Sequence, residues 1–132
     1  MAEPGQGQRS GLALAVFMVL AGALHFVIPA SYERIVPRSL GNPRALVAVS
    51  GAAEIGAGVL LAFRPTRRVG AALAVLLLMA VFPANVQMAL DGGIPGKGFP
   101  LGSPVVAWLR LPLQVPLALW ALRHARRPKP TP

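Results

Sequence analysis

The chain has 132 residues, 55% of them hydrophobic and 13% charged, with no cysteine and a net charge of +9. A mean hydropathy of +0.60, at roughly half the charge content of an ordinary soluble domain, excludes a water-soluble globule: so short and apolar a chain could not cover its own surface, a need that lipid as solvent removes. The missing cysteine excludes disulfides, thiol relays and a self-held iron–sulfur cluster, and the basic residues lie between apolar blocks and at the C-terminus, as topology signals do, rather than on a nucleic-acid-binding face.

Residues 1–10 form a short polar N-terminal segment, expected to lie in the cytoplasm. The first apolar block, 11–28, ends at Pro29. Its "AGA" at 21–23 resembles a leader-peptide cleavage site, but the run continues through Leu24, Phe26, Val27 and Ile28, so it reads as a span. Asn42 and Pro43 then supply a cap and a first helical position for the second block, 45–63. "FRPTRR" at 63–68 is a tight basic turn into the third block, 69–90. "DGGIPGKGFP" at 91–100 is a Gly/Pro loop that interrupts any helix. The fourth block, 104–122, carries Pro112 and Pro116, which remove backbone donors and predict a kink between Trp108 and Pro116. The basic tail 123–132 is expected to be disordered and cytoplasmic.

Four blocks of 18–22 residues each suffice to cross a hydrocarbon core of roughly 30 Å as a helix. They are twice the length of a barrel strand and show no period-two alternation. The expected fold class is therefore an all-α membrane protein, a bundle of four transmembrane helices. The side holding both termini and the turn at 64–68 carries eight Lys or Arg, against four on the other side: Arg34, Arg38, Arg44 and Lys97. The positive-inside rule then places both termini in the cytoplasm of a cell that keeps this chain in its plasma (inner) membrane.

Depth along the helices sorts the polar residues. His25, Glu54, Asn85, Arg110 and Gln114 all fall in the half of the bundle away from the termini, at about 1.5 Å per residue. Arg110 and Gln114 share a face, four residues apart. Glu54 shares a face with Ser50, Gly51 and Gly58, and His25 with Ala21 and Gly22; small residues mark close helix packing in lipid, so both side chains should point inward. Glu54 is the only acid inside a block, hence the expected partner of Arg110, since an unpaired charge at that depth costs at least about 2.5–3.5 kcal/mol. Gln87 is expected to reach the headgroups, and His124 to be merely interfacial. His25 and His124 sit near opposite ends and cannot ligate one haem together. No HExxH, paired Asp, Gly-rich phosphate loop or nucleophile elbow occurs, so no metal site is expected.

Four segments resemble the DoxX family of small membrane proteins: "GALHFVIPASYERIVP" at 22–37, "SGAAEIGAGVLL" at 50–61, "VFPANVQMALD" at 81–91 and "RLPLQVPLALWAL" at 110–122. The resemblance extends over roughly residues 11–127 and implies a four-helix membrane bundle. It also implies two kinds of role. One is an accessory or assembly protein, without independent catalysis, whose pocket of Glu54, Arg110, His25, Asn85 and Gln114 takes a partner protein or a small lipophilic ligand. The other is a small membrane subunit of a quinone-linked oxidoreductase. The first is preferred: the pocket offers no nucleophile, and fold-level analogy is a weak warrant for catalysis. No cofactor is expected under it, whereas a quinone belongs to the alternative. Expected partners are the bilayer, a membrane or redox-enzyme partner, or a second copy of the chain; nucleic acid is not among them.

Overall fold

The computed structural model describes residues 4–126 apart from 95. Its helices are α1 (Pro4–Val27), α2 (Pro29–Ile35), α3 (Pro43–Ala62), α4 (Arg67–Leu90) and α5 (Pro104–Ala125), with single 3-10 turns at Arg38–Leu40 and Arg64–Thr66. No strand occurs among the described residues. Proline opens four of the five helices, where its missing N–H costs nothing and its fixed φ suits the first turn. Asn42 caps α3 as expected, its side chain accepting from the N–H of Arg44 at 3.0 Å and of Ala45 at 3.4 Å. Ser103 caps α5 by accepting from Val106 N–H. After α4 the chain turns on Gly92 (φ 74°) and Gly93 (φ 104°), left-handed positions that glycine adopts without strain. Gly92 N–H donates to Ala89 O and Gly93 N–H to Met88 O, closing the helix in a Schellman motif.

Four helical segments are long and apolar enough to cross a membrane: Gly5–Val27, Pro43–Ala62, Arg64–Leu90 and Pro104–Ala125. The protein is thus an all-α, four-span bundle, and its surface agrees. Leu20, Val49, Leu76, Met79, Leu113 and Leu119 are among many large apolar side chains left exposed along these helices, as lipid requires and water does not tolerate.

The spans pack in the order α1, α3, α4, α5. Glycines allow the close approaches. A Cβ on Gly51 would lie 2.7 Å from His25 Cβ, and one on Gly58 would lie 2.8 Å from Ala15 O, so α1 and α3 touch nearly backbone to backbone. Gly70 brings α4 equally close to α3 at Ala57 and Leu61. Toward the termini all four spans share a core of Leu14, Ala15, Met18, Ala57, Leu61, Ala71, Ala74 and Ala121. At the loop end Ile35 of α2 joins Met88, Ala89, Ile94 and Ala107.

Three sequence expectations are corrected here. The first helix starts at Pro4, not at Gly11. Its polar first turns are held by tertiary hydrogen bonds: Gln8 Oε1 accepts from Arg64 Nε at 3.0 Å and from Arg67 Nη1 at 2.9 Å. Pro29 does not simply end a helix but opens α2, which folds back over the bundle's loop end. Residues 123–125, assigned to the tail, extend α5, because Trp120 Nε1 donates to Ser10 Oγ at 2.7 Å and Ser10 Oγ shares a hydrogen bond with His124 Nε2 at 3.0 Å. Residues 127–132 and 1–3 lie outside the described residues. The prolines at 112 and 116 do not interrupt α5, nor does Pro83 interrupt α4.

Candidate functional site

Between the two cores the helices part around a cavity of about 480 Å³. Its walls are mostly apolar, and its polar lining comprises His25, Tyr32, Ser50, Glu54, Asn85, Arg110 and Gln114. All five residues singled out in the sequence therefore meet at one place, brought from α1, α3, α4 and α5.

Local structure explains each position. His25 stands one turn after Ala21, and its Nδ1 donates to Ala21 O at 2.9 Å, which fixes that nitrogen as the protonated one. Glu54 Oε2 lies 3.4 Å from the same Nδ1. Because that proton is already committed to a carbonyl, Glu54 Oε2 is left buried with no hydrogen-bond partner, as is Ser50 Oγ one turn earlier on α3. Asn85 Nδ2 donates to Gln114 Oε1 at 2.8 Å, and Gln114 Nε2 donates to Leu78 O. Leu78 O lies five residues before Pro83, so the α4 turns that precede this proline are tied to α5 by Gln114. This amide pair is closed and ties α4 to α5.

The expected ion pair does not form. Among the described residues no carboxylate lies within 4.0 Å of the Arg110 guanidinium. Its Nη1 donates instead to Met88 Sδ at 3.3 Å, a weak acceptor. Glu54 and Arg110 line the same cavity from α3 and α5 without meeting. Gln87 donates to Asp91 Oδ1 at 3.0 Å, outside the cavity lining.

Two contributions escaped the sequence. Tyr32, on α2, stacks on His25 with ring centroids 4.0 Å apart and an interplanar angle of 18°. It covers the loop end of the cavity. Burial raises its phenol above the usual 10.0; the positive charge of Arg110 lowers it and Glu54 raises it further. Its signal in the sequence was faint: a proline-initiated segment with Ser31 and Ile35 four apart, both now buried. The second contribution is Ser10, whose hydroxyl links Trp120 to His124 at the opposite end of the molecule.

Among the described residues no group of three His, Cys, Asp or Glu side chains could hold a metal ion. The arrangement can instead solvate a polar head. Arg110 has guanidinium donors beyond the one given to sulfur, Glu54 has an acceptor without a donor, and both border apolar walls.

A four-span helical bundle with a polar-headed apolar cavity defines a multi-pass membrane protein. Within that class, the chain belongs to the family of a domain of unknown function (DUF8561), whose model matches residues 14–125. No curated protein and no solved structure matches it.

Proposed function

We propose that this protein is a DoxX-like accessory or assembly protein of the plasma (inner) membrane, with both termini cytoplasmic, whose cavity binds a small lipophilic ligand. One observation carries the reading: the roughly 480 Å³ apolar cavity is bordered by a buried carboxylate oxygen that has no partner. Sites for small molecules span about 300–1,000 Å³ and combine apolar walls with a few converging polar groups. A buried polar atom without a partner costs about 1–3 kcal/mol, so evolution-neutral packing gives no reason to keep Glu54 there, whereas a bound donor does.

The test is purification in mild detergent followed by native mass spectrometry. Wild-type protein is expected to carry a small apolar molecule that Ala53→Phe, which fills the cavity wall, loses. Equal retention by the filled variant, or no bound molecule in either, overturns the reading. A quinone as the retained molecule, together with electron transfer by a co-purifying enzyme, would move the protein to the quinone-linked alternative.

A further inference from the structure

We propose that the ligand is an uncharged, single-tailed amphiphile whose head both donates and accepts hydrogen bonds, such as a hydroxyl or a primary carboxamide. This rests on the cavity reading above and adds the chemistry of the occupant.

The charge of the lining comes first. It contains one acid, Glu54, and one permanent cation, Arg110, with His25 beside the acid. The two formal charges cancel. An anionic head drawn to Arg110 would enter a site that also holds the Glu54 carboxyl, and a cationic head drawn to Glu54 would meet Arg110. Either would leave an uncompensated charge in a poorly solvated space, where such charges are expensive. A neutral head avoids this.

The unmet hydrogen bonds come second. Glu54 Oε2 and Ser50 Oγ are buried on the α3 wall without partners. Arg110, on the α5 wall, gives one N–H to a thioether and has further donors to offer. Asn85 and Gln114 are already joined to each other. The head must therefore give a proton to the α3 side and accept one from the α5 side. A hydroxyl or an amide does both; an ether or a ketone only accepts.

The opening comes third. Phe17 of α1, Leu46 and Val49 of α3 and Leu113 of α5 line the cavity and are also exposed on the outside of the bundle. These positions belong to membrane-spanning segments, so the mouth faces lipid. A ligand with a tail can enter from the bilayer and leave that tail against these side chains. The volume suits one small molecule in the drug-size range, which favours one tail.

The experiment uses full-length protein in lipid nanodiscs and four photoreactive probes with the same diazirine-bearing twelve-carbon tail. Their heads are a primary alcohol, its methyl ether, a carboxylate and a trimethylammonium. Crosslinks are mapped by peptide mass spectrometry. The alcohol is expected to label cavity-lining residues at least fivefold more than any of the other three. Glu54→Gln and Arg110→Gln should each reduce that labelling at least fivefold, and Leu76→Ala, on the lipid-facing side of α4, should not. Equal or stronger cavity labelling by the ether, the carboxylate or the ammonium overturns the proposed head chemistry while keeping the cavity as a ligand site. Labelling confined to lipid-facing residues for all four probes overturns the cavity reading itself. Thermal melting of each variant in the same nanodiscs separates lost binding from lost folding.

Discussion

At the residue scale the molecule is organised around unequal satisfaction. Asn85 and Gln114 meet each other at 2.8 Å, whereas Glu54 Oε2, 3.4 Å from a histidine nitrogen that already serves Ala21 O, meets no donor. The consequence is testable by substitution. Gln114→Leu strands the Asn85 amide and removes the side-chain bond to Leu78 O, and should destabilise the fold by about 1–3 kcal/mol. Glu54→Leu removes an unpartnered polar group and should leave melting in mild detergent unchanged or raised. A large fall for Glu54→Leu with none for Gln114→Leu would reverse the assignment. Tyr32 provides a second check, as the chain's single tyrosine. Burial raises its phenol above the usual 10.0, so the folded state holds that proton more tightly than the unfolded state. Its contribution to stability is then fully present below pH 10, and declines as pH rises through the folded-state value. Absorbance titration of the phenolate should give a midpoint above 10 in native protein and near 10 after unfolding, and Tyr32→Phe should lessen the alkaline loss of stability. His25, Glu54, Asn85, Arg110 and Gln114 were legible in the sequence because polar groups are conspicuous in apolar blocks. Their pairing was not: which donor meets which acceptor depends on helix rotation and on the space between α3 and α5, which spacing along a chain does not encode.

At the element scale, small residues decide how closely the helices lie. A Cβ on Gly51 or Gly58 would come within 3.0 Å of atoms on α1, whereas one on Gly56 would meet nothing within 4 Å. The same substitution should thus have opposite signs less than two turns apart on one helix. Gly56→Ala should stabilise by roughly 0.5–1 kcal/mol through helix propensity, while Gly51→Ala and Gly58→Ala should destabilise by about 1–3 kcal/mol through overpacking. Melting temperatures of the three variants in one detergent check this; a shared sign would deny the close α1–α3 contact. Span positions were legible because about twenty apolar residues form a long signal, and the observed limits depart from it where polar side chains extend a helix. Arg67 illustrates this at the start of α4. Its Nε donates to Leu61 O at 2.9 Å and its Nη1 to Gln8 Oε1 at 2.9 Å, so one side chain caps α3 and anchors the early turns of α1. Helix α2 was missed for the complementary reason: seven residues give too short a pattern to separate a helix from a turn, and only its packing over the cavity, through Ile35 and Tyr32, stabilises it.

At the scale of the whole molecule, the two ends of the bundle differ in charge, and that difference predicts its orientation. The end with both termini and the Arg64–Thr66 turn holds Arg64, Arg67, Arg68, Arg123 and Arg126, and Arg9 lies on the same end in α1. No acid occurs at that end among the described residues; Glu33 and Asp91 both lie at the other. Lys and Arg near span ends are held back on the cytoplasmic side during insertion, an effect set by basic residues in short loops rather than by net charge. The loops here are short, so the rule applies at every connection. Even the arginines engaged in the fold serve it, since Arg67 and Arg64 are tied to Gln8 and so keep the first turns of α1 beside the α3–α4 turn. The last span returns the C-terminus to the same end, as Ser10 joins Trp120 and His124 from α5 to α1. Alkaline phosphatase, active only outside the cytoplasm, should therefore be inactive when fused after Pro130 and active when inserted near Lys97, while green fluorescent protein should give the opposite pattern. Replacing Arg64, Arg67 and Arg68 with Gln should weaken this preference and yield mixed topologies. Uniform activity of the phosphatase at the C-terminus would place the cavity mouth near the cytoplasmic leaflet, and the ligand would then reach it from that leaflet rather than from the outer one.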